Sequence, residues 1–179
     1  MNMHSILEII QGSALAEWMR YTDRAMPVVE ATHVLAALLL FGTVLIVDLR
    51  LLGLADSSRS VTRLTRETLP LTWLAFGISV VTGSLMFTTS AQTYFANTAF
   101  QLKALALFGA GLNMLLFQLF TAHGMATWTQ DKPVPRAARA AGLVSMLLWA
   151  AVVLLGRWIG FTKGHDFSIP AGMDFMFPR

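Results

Sequence analysis

Apolar residues run along this chain in long blocks, without the polar face that a helix of a water-soluble domain keeps. Four stretches stand out: about Met26 to Leu52, Leu69 to Thr89, Thr98 to Ala122 and Ala138 to Phe161. Each reaches the length of about 20 residues that a helix needs to cross the hydrocarbon of a bilayer. The pattern predicts an all-α protein, a four-transmembrane-helix antiparallel bundle. No Gly/Ser linker or low-complexity stretch divides it, so residues 1–179 read as one integral membrane domain.

Ahead of the first block, "SILEIIQGSALAEWMRY" places Leu7, Ile10, Ala14 and Trp18 at helical spacing. With Gly12 and Glu17 included it is too short and too polar to span. It predicts an amphipathic interfacial helix over about 5–20, opened by a Ser5–Glu8 capping box and carrying Trp18 and Tyr21 at headgroup level. The segment lacks the basic start and small-residue cleavage site of a signal peptide. Within "ETLPLTW", Pro70 suits the first turn of the second span, where its missing N–H costs nothing. That span holds Gly77, Ser79, Thr82, Gly83 and Ser84, small residues that let membrane helices approach closely. Asn97 predicts an N-cap for the third span. "TQDKPVPRAARAAG" reads as a turn into the fourth span, and the tail 162–179 reads as irregular.

Composition strengthens the membrane reading. Hydrophobic residues make up 55% of the 179 and charged residues 13%, against about 25% charged in a soluble domain. The mean hydropathy is +0.61. A chain of this size could not bury so much apolar surface in a core of its own. There is no cysteine, which excludes disulfides, thiolate metal sites, iron–sulfur clusters and covalently attached haem, but not haem b.

The net charge of +3 does not indicate nucleic acid, because the Lys and Arg residues sit at the ends of apolar blocks. Arg50, Arg59, Arg63 and Arg66 flank one loop, and Lys132, Arg136 and Arg139 another. Basic loops stay cytoplasmic. The expectation is a multi-pass protein of the bacterial inner membrane with both termini periplasmic.

Candidate chemistry gathers at the expected outer end. Glu30 and His33 lie on one face of the first span, Lys103 near the start of the third and Arg157 near the end of the fourth. Each is roughly one to two turns inside the apolar boundary. Ionisable groups inside a membrane usually face the bundle interior, where they pair or act. Two readings stay open. In one, Glu30 pairs with Arg157 or Lys103, and the cluster fixes helix register in a non-enzymatic subunit or small-molecule permease. In the other, His33 is the axial metal ligand of haem b, Lys103 and Arg157 meet its propionates, and Glu30 orients His33 or relays a proton. His123 falls at the opposite end of the third span and cannot share a haem with His33. The haem is then five-coordinate, or closed by Met86 or His165. Its partners would be the lipid bilayer and a redox protein or a second copy of the chain.

A third reading is copper handling by Met3, His4, His165, Met173 and Met176, since thioether and imidazole suit Cu(I). Asp48 reads as pairing with Arg63, Arg66 or Arg139, Asn113 as making an interhelical hydrogen bond, and Trp73, Trp149 and Trp158 as packing or interface anchors. No hydrolase or nucleotide-site motif is present.

The segments "SALAEWMR", "VVEATHVLAALLLFGTVLIVDLRLLGL", "LPLTW", "NTAFQLKALAL", "LNMLLF" and "LGRWIGF" together resemble an uncharacterised bacterial family of four-helix integral inner-membrane proteins, a domain of unknown function. The resemblance implies a membrane protein and no particular activity. More loosely, the chain is similar to four-helix proteins of the copper-resistance CopD type and the haem-binding protoporphyrinogen oxidase HemJ type. His33 and Lys103 would match their early histidine and lysine, which implies haem or redox work.

Overall fold

The computed structural model describes residues 2–55, 61–120 and 134–162. Every element in them is helical: α1 (Met3–Gln11), α2 (Ala14–Tyr21), α3 (Ala25–Leu52), α4 (Val61–Thr89), α5 (Ala91–Ala96), α6 (Thr98–Phe120) and α7 (Arg136–Thr162). Four of these, α3, α4, α6 and α7, are long and apolar enough to cross a membrane. Leu35, Leu74, Phe108 and Leu154 are each 60% exposed or more. Large side chains so placed on every span form a surface that only lipid can solvate. The chain is a membrane protein.

Element boundaries differ from expectation where local hydrogen bonding outweighs hydropathy. α4 starts eight residues before Leu69, so Pro70 lies inside the helix. Its ring removes the N–H that would reach the Arg66 carbonyl. The helix persists upstream because Arg63 Nε bonds Glu67 Oε1 at 2.8 Å and Thr68 Oγ1 donates to the Leu64 carbonyl at 3.0 Å. α3 ends at Gly53, whose φ of 78° lets Leu54 N–H return to the Leu49 carbonyl at 2.9 Å. That is the six-to-one bond of a Schellman stop. Asn97 caps α6 as expected, its Oδ1 accepting from Phe100 N–H at 3.1 Å.

The N-terminal segment forms two helices, not one. α1 begins at Met3, so Ser5 lies within it and the expected capping box does not form. The chain breaks at Gly12–Ser13, and Ser13 Oγ accepts from Ala16 N–H to start α2. Ala16 and Met19 are fully buried, while Trp18 and Tyr21 are exposed. α1 packs on α5 and α2 on α4. Arg20 donates to the Gln11 carbonyl at 2.9 Å and to the Thr89 carbonyl at 3.2 Å. This end of the protein, where α1, α2 and α5 gather, is called the α5 end below.

The spans are antiparallel to their neighbours and ordered in space as α4, α3, α7, α6. Register along α3 and α4 is fixed by two side-chain pairs ten residues apart on each helix, His33–Thr82 and Thr43–Thr72. α6 and α7 are registered by Lys103 against Gly156, Gly109 against Leu148, and Asn113 Nδ2 bonding the Ala141 carbonyl at 3.0 Å. α3 meets α7 where Gly142 lies under Leu51 and the Asp48 carbonyl. Among the described residues no Cα of α4 comes within 8 Å of one in α6. The four-helix arrangement is therefore open along that flank.

Candidate functional site

α3 and α4 each turn one helical stripe toward the other. On α4 the stripe is Thr65, Thr68, Thr72, Ala75, Ser79, Thr82, Met86 and Thr89, spaced alternately three and four apart. All of these are buried or half-buried. Small and hydroxylated residues at this spacing let the backbones close on each other. Several of the hydroxyls donate within α4, as Thr68 does to the Leu64 carbonyl at 3.0 Å. That satisfies their protons in an apolar setting.

His33 enters this seam. Its Nδ1 lies 3.0 Å from Thr82 Oγ1, and Thr82 Oγ1 lies 2.6 Å from the Ile78 carbonyl. A carbonyl can only accept, so the threonine proton goes to Ile78. The threonine oxygen is then left to accept from Nδ1–H. The neutral imidazole is thereby held as the Nδ1–H tautomer, with its lone pair on Nε2. The Ser79 carbonyl is a further acceptor beside the ring. Gly83 completes the fit, since a Cβ there would stand 3.1 Å from His33 Cε1.

Lys103 reaches across the neighbouring seam. Its Nζ would lie 3.3 Å from a Cβ at Gly156, so its chain lies along α7. Among the described residues it makes no hydrogen bond and no ion pair, yet its charge is close enough to act on His33. His33 and Lys103 therefore come within electrostatic range of each other from two different helix pairs.

Aromatic rings pack across the α5 end of this layer. Phe87 and Phe100 stack at 5.5 Å, and Tyr94 of α5 lies 6.1 and 5.7 Å from them. Ala99, Leu155 and Ile159 pack around the rings. Phe87 is four residues beyond Gly83, and Phe100 three before Lys103. The cap is therefore about one turn above the polar layer. It also bridges α4 to α6 where their backbones stay apart. Tyr94 lies outside the spans. Burial, and then the Glu30 charge, raise its phenol above the ordinary range.

The other expected members are placed differently. Glu30 is exposed and forms no ion pair with Lys103 or Arg157 among the described residues. Thr82, not Glu30, orients His33. Arg157 is exposed on α7 with its guanidinium 4.7 Å from the Phe161 ring centre, so it does not join Lys103. Matching depth brought these residues to one layer, but their azimuths point them away from it. Met86 is half-buried one turn beyond Thr82 on the same stripe. His165, His123, Met173 and Met176 lie outside the described residues, and Met3 and His4 are exposed on α1. No group of three or more His, Cys, Asp or Glu that could hold a metal occurs among the described residues.

At the opposite end, Asp48 is 4% exposed and takes a hydrogen bond from Ser145 of α7, not an arginine from the expected set. Asn113 makes the interhelical bond expected of it.

No curated protein and no solved structure matches the chain. Its looser likeness to CopD- and HemJ-type proteins gains no match there. One family does match, over residues 16–162, and by that coverage the chain belongs to DUF6644, a family of unknown function.

Proposed function

We propose that this chain is a haem-b-binding, redox-associated protein of the bacterial inner membrane, with both termini periplasmic and the site at the α5 end. The observation that carries the reading is the fixed imidazole. Thr82 accepts a hydrogen bond from His33 Nδ1–H and leaves Nε2 as the electron-pair donor, which is how ligating histidines are held by their outer-shell partners. Lys103 supports it as a half-buried ammonium with no carboxylate partner among the described residues, suited to a propionate. Arg157 and Glu30 drop out of the site.

The residues present fit the group to that extent. His33 would hold the iron, Lys103 a propionate, and Met86 would be the candidate for a second ligand. Haem b would supply one-electron exchange there. The chain's own part is to orient the imidazole, balance the anionic edge and, through the aromatic cap, exclude water. A redox protein on the same side of the membrane would be the electron partner. The His33–Thr82 bond sets helix register, as the alternative reading expects, but the Glu30 ion pairs of that reading do not form among the described residues.

The test is the absorption spectrum of the purified protein, made with ample haem, oxidised and then reduced with dithionite. A Soret band that sharpens on reduction and is lost in His33→Ala supports the reading. A featureless spectrum ends it.

A further inference from the structure

The end of the spans away from His33 holds a second ionisable group that the haem reading does not use. Asp48 lies in α3 one turn before Leu51, which packs with Val61 of α4 and Ala138 of α7 in a cluster flanked by Val47, Phe117 and Val134. Gly142 brings α7 so close that its Cβ position is 3.3 Å from the Asp48 carbonyl oxygen. The carboxyl is thus roofed by α7, and Ser145 donates to it. Its Oδ2 is fully buried and has no hydrogen-bond partner among the described residues. Thr65 Oγ1, at a similar depth on α4, is likewise buried without one.

Among the described residues, no cation is seen to face the group from the helices packed there. On α4, Arg63 and Glu67 bond each other on an exposed face, and Arg66 is exposed. On α7, Arg136 and Arg139 are exposed. On α3, Arg50 lies two residues on, about 200° around the helix from Asp48. A carboxylate held this way, out of water and with one oxygen bare, lacks the compensation that a buried charge requires. The neutral acid needs only what is present, an acceptor role toward Ser145 and an O–H on the bare oxygen.

We propose that Asp48 is a proton-binding site within the membrane layer, where its carboxyl carries an exchangeable proton. The inference is independent of whether haem binds at the other end.

The test is labelling of the full chain in liposomes with dicyclohexylcarbodiimide, which dissolves in the hydrocarbon layer and attacks protonated carboxyls. The acid proton moves to a carbodiimide nitrogen and the carboxyl oxygen bonds to the central carbon. Acyl migration to nitrogen then leaves a stable N-acylurea containing every atom of the reagent. Peptide mass spectrometry should place the adduct on Asp48 at neutral pH. Its yield should fall about tenfold per pH unit once the group ionises. An infrared carboxylic C=O band that shifts in D2O and is missing in Asp48→Asn gives the same result without reagent. Absence of both the adduct and the band overturns the proposal. So does labelling suppressed by sodium chloride but not by choline chloride at one pH, which would make the ligand a sodium ion.

Discussion

Thr82 and His33 are joined across the α3–α4 seam by a 3.0 Å hydrogen bond whose direction is set by a third group, the Ile78 carbonyl 2.6 Å from the same threonine oxygen. The threonine thus dictates which imidazole nitrogen carries the proton. Thr82→Val keeps the shape and removes the acceptor. The cost in stability should be about 0.6 kcal/mol, the average for interhelical hydrogen bonds in membranes. The larger effect is on the ring. Nitrogen NMR of labelled histidine should show His33 as one tautomer in the parent and as a mixture in Thr82→Val, with Thr82→Ser restoring the parent signal.

Gly83 and Gly156 make a contrast. An alanine at 83 meets an imidazole edge at 3.1 Å that Thr82 prevents from swinging away. An alanine at 156 meets the flexible end of Lys103 at 3.3 Å. Gly83→Ala should cost about 1–3 kcal/mol as overpacking, and Gly156→Ala clearly less. In a His33→Ala background the Gly83→Ala penalty should vanish, a coupling that a double-mutant cycle in denaturant reads directly.

Lys103→Met keeps the length of the side chain and removes a charge that has no counter-ion among the described residues. In protein prepared without added haem, thermal stability should rise, because an apolar group replaces a desolvated ammonium. Haem retention should fall in the same variant. A Tm that drops in the haem-free protein would show that the ammonium is already paired.

Tyr94 supplies a pH dependence. Its phenol is raised by burial and by the Glu30 charge. A folded-state pKa above the unfolded one contributes stability that is complete below the ordinary phenol value of about 10 and is lost as pH rises through the raised value. The chain has two tyrosines, and Tyr21 is exposed. In a Tyr21→Phe background, ultraviolet titration should therefore show the remaining phenol ionising above the ordinary value of about 10. Glu30→Gln should move that transition down.

The four spans were legible because hydropathy alone decides what can lie in hydrocarbon. His33 and Lys103 were legible because ionisable residues are rare there. Thr82, Ser79 and Gly83 were visible only as small residues for close packing. Their role depends on register, and register is set by which stripes of α3 and α4 meet. Glu30 and Arg157 show the reverse error. Counting residues from a helix end gives depth, but whether a side chain turns inward depends on the neighbouring helix. α5 is six residues long and has no periodicity to detect, and α1 and α2 are separated by a single glycine–serine step that hydropathy does not register.

The open flank between α4 and α6 has a consequence for how a ligand would reach the proposed His33–Lys103 site. With the aromatic rings packed across the α5 end, that flank offers entry from among the acyl chains. Occupancy then follows the amount of visitor per unit area of bilayer, not its concentration in water. A greasy molecule barely soluble in buffer could fill the site while a far more abundant polar one never meets it. Titrations in micelles should scale with detergent volume until expressed as mole fraction.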